Sequence, residues 1–274
     1  MELKAVCKIN IGLDILRRRS DGFHDVETLM FPVEGLYDTI GIERSASTEF
    51  RQSGLVVDCP PEKNLCLKAL RALERYVGIG PVTITLDKRV PFGAGLGGGS
   101  SDAAAVIRGL NELFGLGLST GRMVEIAAEL GSDTAFFIES RPQICSGRGE
   151  IMSPFAPPIA GLWLAVIKPP FGISTAQAYA GVTPHIPDRP LAQRLAAPIS
   201  EWQTTIVNDF ERHLFALYPQ LGELKRALLD AGALYAAMSG SGSALFGLFE
   251  QKPELTFDQS IFVHTEQIAA GSNE

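Results

Sequence analysis

Five glycines fall within the seven positions from Gly93 to Gly99, inside the stretch Pro91-Phe92-Gly93-Ala94-Gly95-Leu96-Gly97-Gly98-Gly99-Ser100-Ser101. Missing side chains let a ligand approach the backbone. Glycine also tolerates φ > 0, so successive N–H groups can turn inward as a nest. A β-like run, Val82–Leu86, leads in, and a helix-forming run, Ser101–Phe114, leads out. That helix would aim its positive end at the same place. The chemistry suits a phosphate chain. A flexible linker is the plain alternative, but a linker is not flanked so tightly by a strand and an Ala-rich helix.

Gly93, Gly95 and Gly98 satisfy G-x-G-x-x-G. A dinucleotide fold needs a second parallel strand after the helix, and a second helical pattern, Thr120–Leu130, follows instead. A Walker loop ends in Gly-Lys-Ser/Thr, and no lysine sits here. The protein-kinase motifs are absent as well. The lysine and carboxylate that phosphate chemistry needs must come from elsewhere in the chain.

Four other segments could supply them. In Lys8-Ile-Asn-Ile-Gly12, period-two alternation puts Lys8, Asn10 and Gly12 on one strand face. That face is either solvated or turned to a polar site. Arg19-Ser-Asp-Gly-Phe-His24 reads as a turn with Asp21-Gly22 at its tip, displaying Phe23 and His24. Asp133, in Leu130-Gly-Ser-Asp-Thr-Ala135, stands before an apolar run as a helix cap or as a general base. Met238-Ser-Gly-Ser-Gly-Ser-Ala-Leu245 reads as a hairpin, or as backbone donors for a ligand.

The elements that must position these groups read as α+β. Strand-like runs cover Ala5–Leu16, Val26–Val33, Asp38–Glu43, Leu55–Val57 and Val82–Leu86, with a helix near Leu65–Tyr76. After the glycine loop come two helices, then short strands at Gln143–Ser146 and Glu150–Ser153. Pro154, Pro157 and Pro158 punctuate the chain. A domain seam is expected near Pro154–Ala160, dividing residues 1–154 from 155–274. Beyond it lie a strand at Gly161–Lys168 and helices near Thr175–Ala180, Leu191–Leu195, Phe210–Leu217 and Leu221–Ala231. Strands follow at Leu234–Met238, Ser243–Phe249 and, as an edge, Phe262–Ile268, before a frayed tail from Ala269.

Composition excludes some classes. The net charge of −7 disfavours a nucleic-acid or membrane-surface binder. Cys7, Cys59, Cys66 and Cys145 have no C-x-x-C spacing. They read as reduced thiols with no zinc site. Glu2, Lys4 and Lys8 interrupt any apolar leader, and no run is long enough to span a membrane. A soluble cytoplasmic protein is expected. The sequence leaves the oligomeric state open.

Together these motifs resemble the GHMP small-molecule kinase superfamily, over nearly the whole chain from Ala5 to about Phe249. Within it, Lys8-x-Asn10, Asp21-Gly-Phe-His24, the extended glycine loop through Ser100-Ser101-Asp102-Ala-Ala104 and Gly131-Ser-Asp133 resemble a cytidine-recognising branch. The resemblance implies a two-domain fold. Its N-terminal domain is S5-like α/β with a left-handed βαβ unit, and its C-terminal domain is ferredoxin-like. It implies ATP-dependent phosphorylation of the 2-hydroxyl of 4-diphosphocytidyl-2-C-methyl-D-erythritol, in non-mevalonate isoprenoid synthesis.

The same resemblance carries residue roles. Asp133 matches the catalytic carboxylate and Lys8 the catalytic lysine. Residues Pro91 to Ser101 match the ATP loop; Mg²⁺ would bridge the phosphates, and Ser100 or Ser101 would supply a hydroxyl ligand or a phosphate hydrogen bond. Phe23 and Tyr179 match the rings that sandwich cytosine, and His24 matches the contact to its edge. Asn10 and Thr175 match polar contacts to the substrate. The chain departs from the family at Gly131-Ser-Asp-Thr-Ala135, where Gly-Ala-Asp-Val-Pro is common, and at Gly240-Ser-Gly-Ser243, in place of Gly-Thr-Gly-Ala. Neither change removes a reactive group. Another GHMP kinase would need no cytidine residues. A non-catalytic homologue would need neither Lys8 nor Asp133.

Overall fold

The structure is a computed structural model that describes residues 1–56 and 60–269. By its contacts the chain forms two compact units, interleaved in sequence. Met1–Lys8, Pro32–Phe92 and Gly97–Arg141 make the first; Ile9–Phe31, Gly93–Leu96 and Pro142–Glu274 make the second. The expected seam at residue 154 is a different division from this one. Two long strands, β1 (Glu2–Arg18) and β2 (His24–Arg44), each contribute residues to both units. The runs Val26–Val33 and Asp38–Glu43 thus belong to one strand; exposed Glu34 and Gly35 broke the apolar pattern between them.

The first unit continues with β3 (Glu49–Gly54), α1 (Leu65–Glu74), β4 (Val82–Lys88), α2 (Gly98–Phe114), α3 (Thr120–Ala128) and α4 (Ser132–Glu139). Strand β4 pairs antiparallel with β2, from Thr39↔Asp87 to Arg44↔Val82. Strand β3 pairs parallel with β4, so α1 makes the crossover that parallel neighbours require. The side chain of Asn64 starts α1 by accepting from the N–H groups of Cys66 and Leu67. Helix α2 buries Ala103, Ala104 and Ala105. At Gly109 a Cβ would stand 2.7 Å from Ile42 Cδ1, so the missing side chain lets α2 lie close to β2. Gly115, at φ +60°, ends α2 in the left-handed region.

One strand was misplaced by the sequence reading. The edge strand is Glu49–Gly54, and Leu55 and Val56 lie beyond its end. Its residues are largely exposed and polar, which suits a sheet edge but hides it from an apolar-pattern search. Val57, Cys59 and the tail from residue 270 lie outside the described residues.

The second unit adds β5 (Gln143–Gly147), β6 (Ile151–Pro154), β7 (Trp163–Lys168), α5 (Thr175–Ala180), α6 (Leu191–Leu195), α7 (Trp202–Thr205), α8 (Phe210–Leu217), α9 (Pro219–Asp230), β8 (Tyr235–Met238), β9 (Leu245–Phe249) and β10 (Phe262–Gln267). Four of these strands form an antiparallel sheet in the order β10-β7-β9-β8. Its apolar core joins Ile167, Met238 and Leu245 to Phe210, Leu214, Leu221 and Leu228, with Leu13 and Ile15 of β1. The start of β2 pairs with β5, and β5 with β6. Helix α7, four residues long, is too short to leave a periodic signal.

Candidate functional site

In the first unit Lys8 Nζ lies 3.3 Å from Asp133 Oδ2. Burial separates their roles. The Lys8 side chain is 4% exposed, held by a strand whose neighbours are all buried, while Asp133 is 35% exposed. Asp133 does not cap its helix, as one reading of the sequence had it. Gly131 is the cap, and Asp133 sits in the first turn of α4, where the helix dipole favours an anion. The glycine loop comes to the same place. Gly97 has φ +69°, and a Cβ there would fall 2.8 Å from Phe137 and 3.2 Å from Lys8 Cε. Only glycine brings the backbone so near the lysine. Gly97 also opens α2 without any side-chain cap, which leaves the first-turn N–H groups to an incoming anion.

Behind that turn stands a buried ion cluster that the sequence reading did not single out. Lys88 Nζ contacts Asp38 Oδ2 at 2.5 Å and Asp102 Oδ2 at 2.8 Å. A Cβ on Gly98 would sit 3.0 Å from the same ammonium. Asp38 Oδ1 also accepts from the N–H groups of Arg89 and Val90. Burial pushes the Asp102 carboxyl up to about 7, against the pull of Lys88. Burial would lower Lys88, but its two carboxylates outweigh that and hold it above its ordinary value. The cluster ties the end of β4 to the start of α2. The only sequence trace was a lysine closing a strand and an aspartate closing the serine pair.

In the second unit Asn10 is held from both ends. Its Nδ2 donates to Thr28 Oγ1 at 3.0 Å, and its N–H donates to Ser239 Oγ at 3.2 Å. The Ser239 hydroxyl in turn donates to Gly95 O at 3.0 Å, and the Ala244 N–H donates to Ala94 O at 3.0 Å. The glycine-serine segment is therefore a hairpin turn between β8 and β9 that also holds the middle of the glycine loop. The approach at Gly95 is tight, since a Cβ would lie 2.0 Å from Ser239 O. Thr28 and Ser239 were missed because nothing local marks a serine or threonine as the support of a distant asparagine.

The turn bearing Phe23 is built as its sequence suggests. Arg19 N–H donates to Phe23 O at 2.8 Å, and Phe23 N–H donates to Asp21 Oδ1 at 3.1 Å. Those bonds leave Phe23 55% exposed. Arg19 pairs with Asp21 and Asp25, and Arg17 also pairs with Asp25. Tyr179 stacks on His24, with ring centres 4.9 Å apart and planes 21° apart, and meets Phe210 edge-on. The structure thus brings Tyr179 to His24. Thr175 begins α5, which Ser174 and Gln177 close with a reciprocal cap.

Among the described residues no group of three or more His, Cys, Asp or Glu is gathered for a metal, and no helix is long and apolar enough to cross a membrane. Cys7, Cys66 and Cys145 are buried and form no disulfide among the described residues.

Comparisons with known proteins identify the family. Residues 64–141 match the model for the GHMP kinases N terminal domain, and residues 192–259 match that for the GHMP kinases C terminal. The chain is 44% identical over 255 residues to a 4-diphosphocytidyl-2-C-methyl-D-erythritol kinase of Parabacteroides distasonis, covering 93% of each chain. It is 42% identical over 265 residues to one of Bacteroides fragilis, covering 94% of this chain and 97% of the relative. A crystal structure of a 4-(cytidine 5'-diphospho)-2C-methyl-D-erythritol kinase superposes with a TM-score of 0.78 at 35% identity, covering 90% of each chain. A homoserine kinase from Cytophaga hutchinsonii, with a TM-score of 0.69 at 20% identity, shares the fold.

Proposed function

This chain belongs to the 4-diphosphocytidyl-2-C-methyl-D-erythritol kinases, a branch of the GHMP kinases, and on that premise we propose that Asp133 and Lys8 carry its phosphoryl transfer. The reaction is ATP-dependent phosphorylation of the 2-hydroxyl of 4-diphosphocytidyl-2-C-methyl-D-erythritol, a step in isoprenoid precursor synthesis. The observation that carries the assignment is the 3.3 Å contact between Lys8 Nζ and Asp133 Oδ2.

A tertiary alcohol is a poor nucleophile. Asp133, partly open to solvent, accepts its proton as the oxygen attacks the γ-phosphorus. Lys8, fixed by its strand, keeps the carboxylate in place and offsets negative charge gathering on the transferred group. The bond from the γ-phosphorus to the bridging oxygen breaks, and ADP leaves with that electron pair. Residues Pro91 to Ser101 hold the ATP phosphates by backbone N–H groups. Gly97 supports this reading by giving the backbone its close approach to Lys8.

Magnesium fits the donors present. Ser100 and Ser101 stand in the first turn of α2 and offer hydroxyl oxygens there. Hard oxygen donors of this kind suit an ion that arrives on phosphates and keeps several waters. Either hydroxyl would hold the ion, and the ion would neutralise phosphate charge. Phe23 and Tyr179 take the two faces of cytosine, with His24 moving from its stack on Tyr179 to the base edge. Asn10 and Thr175 bind the rest of the substrate. The family seam falls near residue 154, and the protein works as a cytoplasmic enzyme.

Asp133→Asn tests the assignment. It keeps the size of the side chain and loses the proton acceptor. The kcat is expected to fall by roughly 10²–10⁴, with ATP binding little changed. Near-normal turnover would remove Asp133 as the base and leave positioning and charge as the whole of the catalysis.

A further inference from the structure

We propose that Arg148 is a substrate-binding residue that takes the diphosphate attached to the cytidine. The inference rests on the reading of Phe23 as the platform for the base.

Arg148 sits between two glycines in the turn joining β5 to β6. Gly147 has φ +69° and Gly149 φ +107°, conformations that put one long side chain at the tip of a tight turn. The turn's backbone is fixed. Gly149 N–H donates to Ser146 O at 3.0 Å, and Arg148 N–H donates to the Glu150 carboxylate at 2.5 Å. The strand register pairs Val26 with Gly147, so the turn lies beside the residues that follow Phe23 and His24.

The guanidinium lies over the Phe23 ring, 5.0 Å from its centre. The side chain is 45% exposed, and the carboxylate within ion-pair reach is that of Glu150, at 3.9 Å. The neighbouring arginines differ. Arg17 is committed to Asp25, and Arg19 to Asp21 and Asp25. Arg17 is the more exposed at 73%, but Arg148 is the one of the three whose guanidinium rests on the exposed Phe23 ring.

A guanidinium offers five N–H donors in a planar fork that matches phosphate oxygens. A nucleotide that stacks its base on Phe23 brings its 5′-phosphates within a few bonds of that ring. Arg148 needs only to lift its head from the ring to meet them, with no change in the turn that carries it. The contact would favour a cytidine diphosphate ester over an uncharged cytidine. A purely aromatic platform would not make that distinction.

The test compares cytidine and cytidine 5′-diphosphate as competitive inhibitors against the diphosphocytidyl alcohol. In Arg148→Ala the inhibition constant of cytidine diphosphate is expected to rise about 10–100-fold, the loss of a hydrogen bond to a charged group. The constant for cytidine should move less than about threefold, the scale of an exposed cation–π contact. The KM of the substrate should follow the diphosphate, the KM of ATP should hold, and Arg148→Lys should recover part of the loss. Equal losses for both inhibitors would reduce Arg148 to a prop for the ring and overturn the proposal, as would no loss for either. Phe23→Ala is read separately. If it spares both inhibitors, the base platform is wrong, whereas the ratio between inhibitors in Arg148→Ala still reports the phosphate contact.

Discussion

Asp133 and Lys8 are 125 positions apart in sequence, and the fold sets their charged ends at 3.3 Å. Their proposed roles came only from the resemblance to the family, since by local pattern Lys8 and Asn10 read as a solvated strand face and Asp133 as a helix cap. The aromatic residues were legible only as a set. The sequence gives no torsion angle, so it could not show that Tyr179 rests on His24 while Phe23 stands 55% exposed. That arrangement yields a sharp expectation. Base–aromatic stacking is worth about 1–3 kcal/mol per base, so Phe23→Ala or Tyr179→Ala should raise the KM for the cytidine substrate roughly 5–150-fold. The KM for ATP should stay put. His24→Ala should weaken discrimination between cytosine and uracil, because it removes an edge contact and leaves the stacking faces. Equal losses for ATP and the cytidine substrate would leave a GHMP kinase without a cytidine site.

The strongest local signals produced the most accurate elements. Helix α2 follows from an Ala-rich run between glycines, and α5 lies at Thr175–Ala180 as expected, capped by Ser174 with Gln177 in its first turn. Edge strand β3 and short α7 escaped, since exposed polar strands and single turns carry no periodicity. Within the glycine loop the positions are not equivalent, which a composition count cannot reveal. Gly93 at φ +62° has open space where a Cβ would go, whereas Gly95 at φ +74° meets a backbone oxygen at 2.0 Å. Gly93→Ala should therefore cost about 1–2 kcal/mol from conformation alone. Gly95→Ala should cost more and should also raise the KM for ATP, as denaturant midpoints and initial rates would record. Helix α8 offers a pH test. Burial pushes the Glu211 carboxyl above its ordinary 4.5, with Lys225 only partly offsetting it. A raised folded value means the folded state binds the extra proton. The stability that Glu211 contributes is then full below 4.5 and is lost as the pH rises through the folded value. Glu211→Gln should flatten the fall of the unfolding midpoint between pH 4.5 and the folded value. An unchanged slope would mean that the group does not titrate with folding.

Across the whole molecule, chemistry is distributed along a chain whose contacts divide it into interleaved units. Lys8, Asp133 and residues 97–101 belong to the first; Asn10, Phe23, His24, Thr175, Tyr179 and residues 93–96 belong to the second. The identity to relatives runs through both, over 93% of the chain, so the activity belongs to the chain as a whole. Fold alone would not separate the possible acceptors, because a homoserine kinase shares this architecture at 20% identity. The most direct measurement is ADP release by the full chain with ATP and Mg²⁺, using the diphosphocytidyl alcohol, mevalonate, homoserine and galactose as parallel acceptors. Turnover with the diphosphocytidyl alcohol alone, abolished by Asp133→Asn, is the predicted result. Turnover with another acceptor at equal or greater kcat/KM would contradict the account.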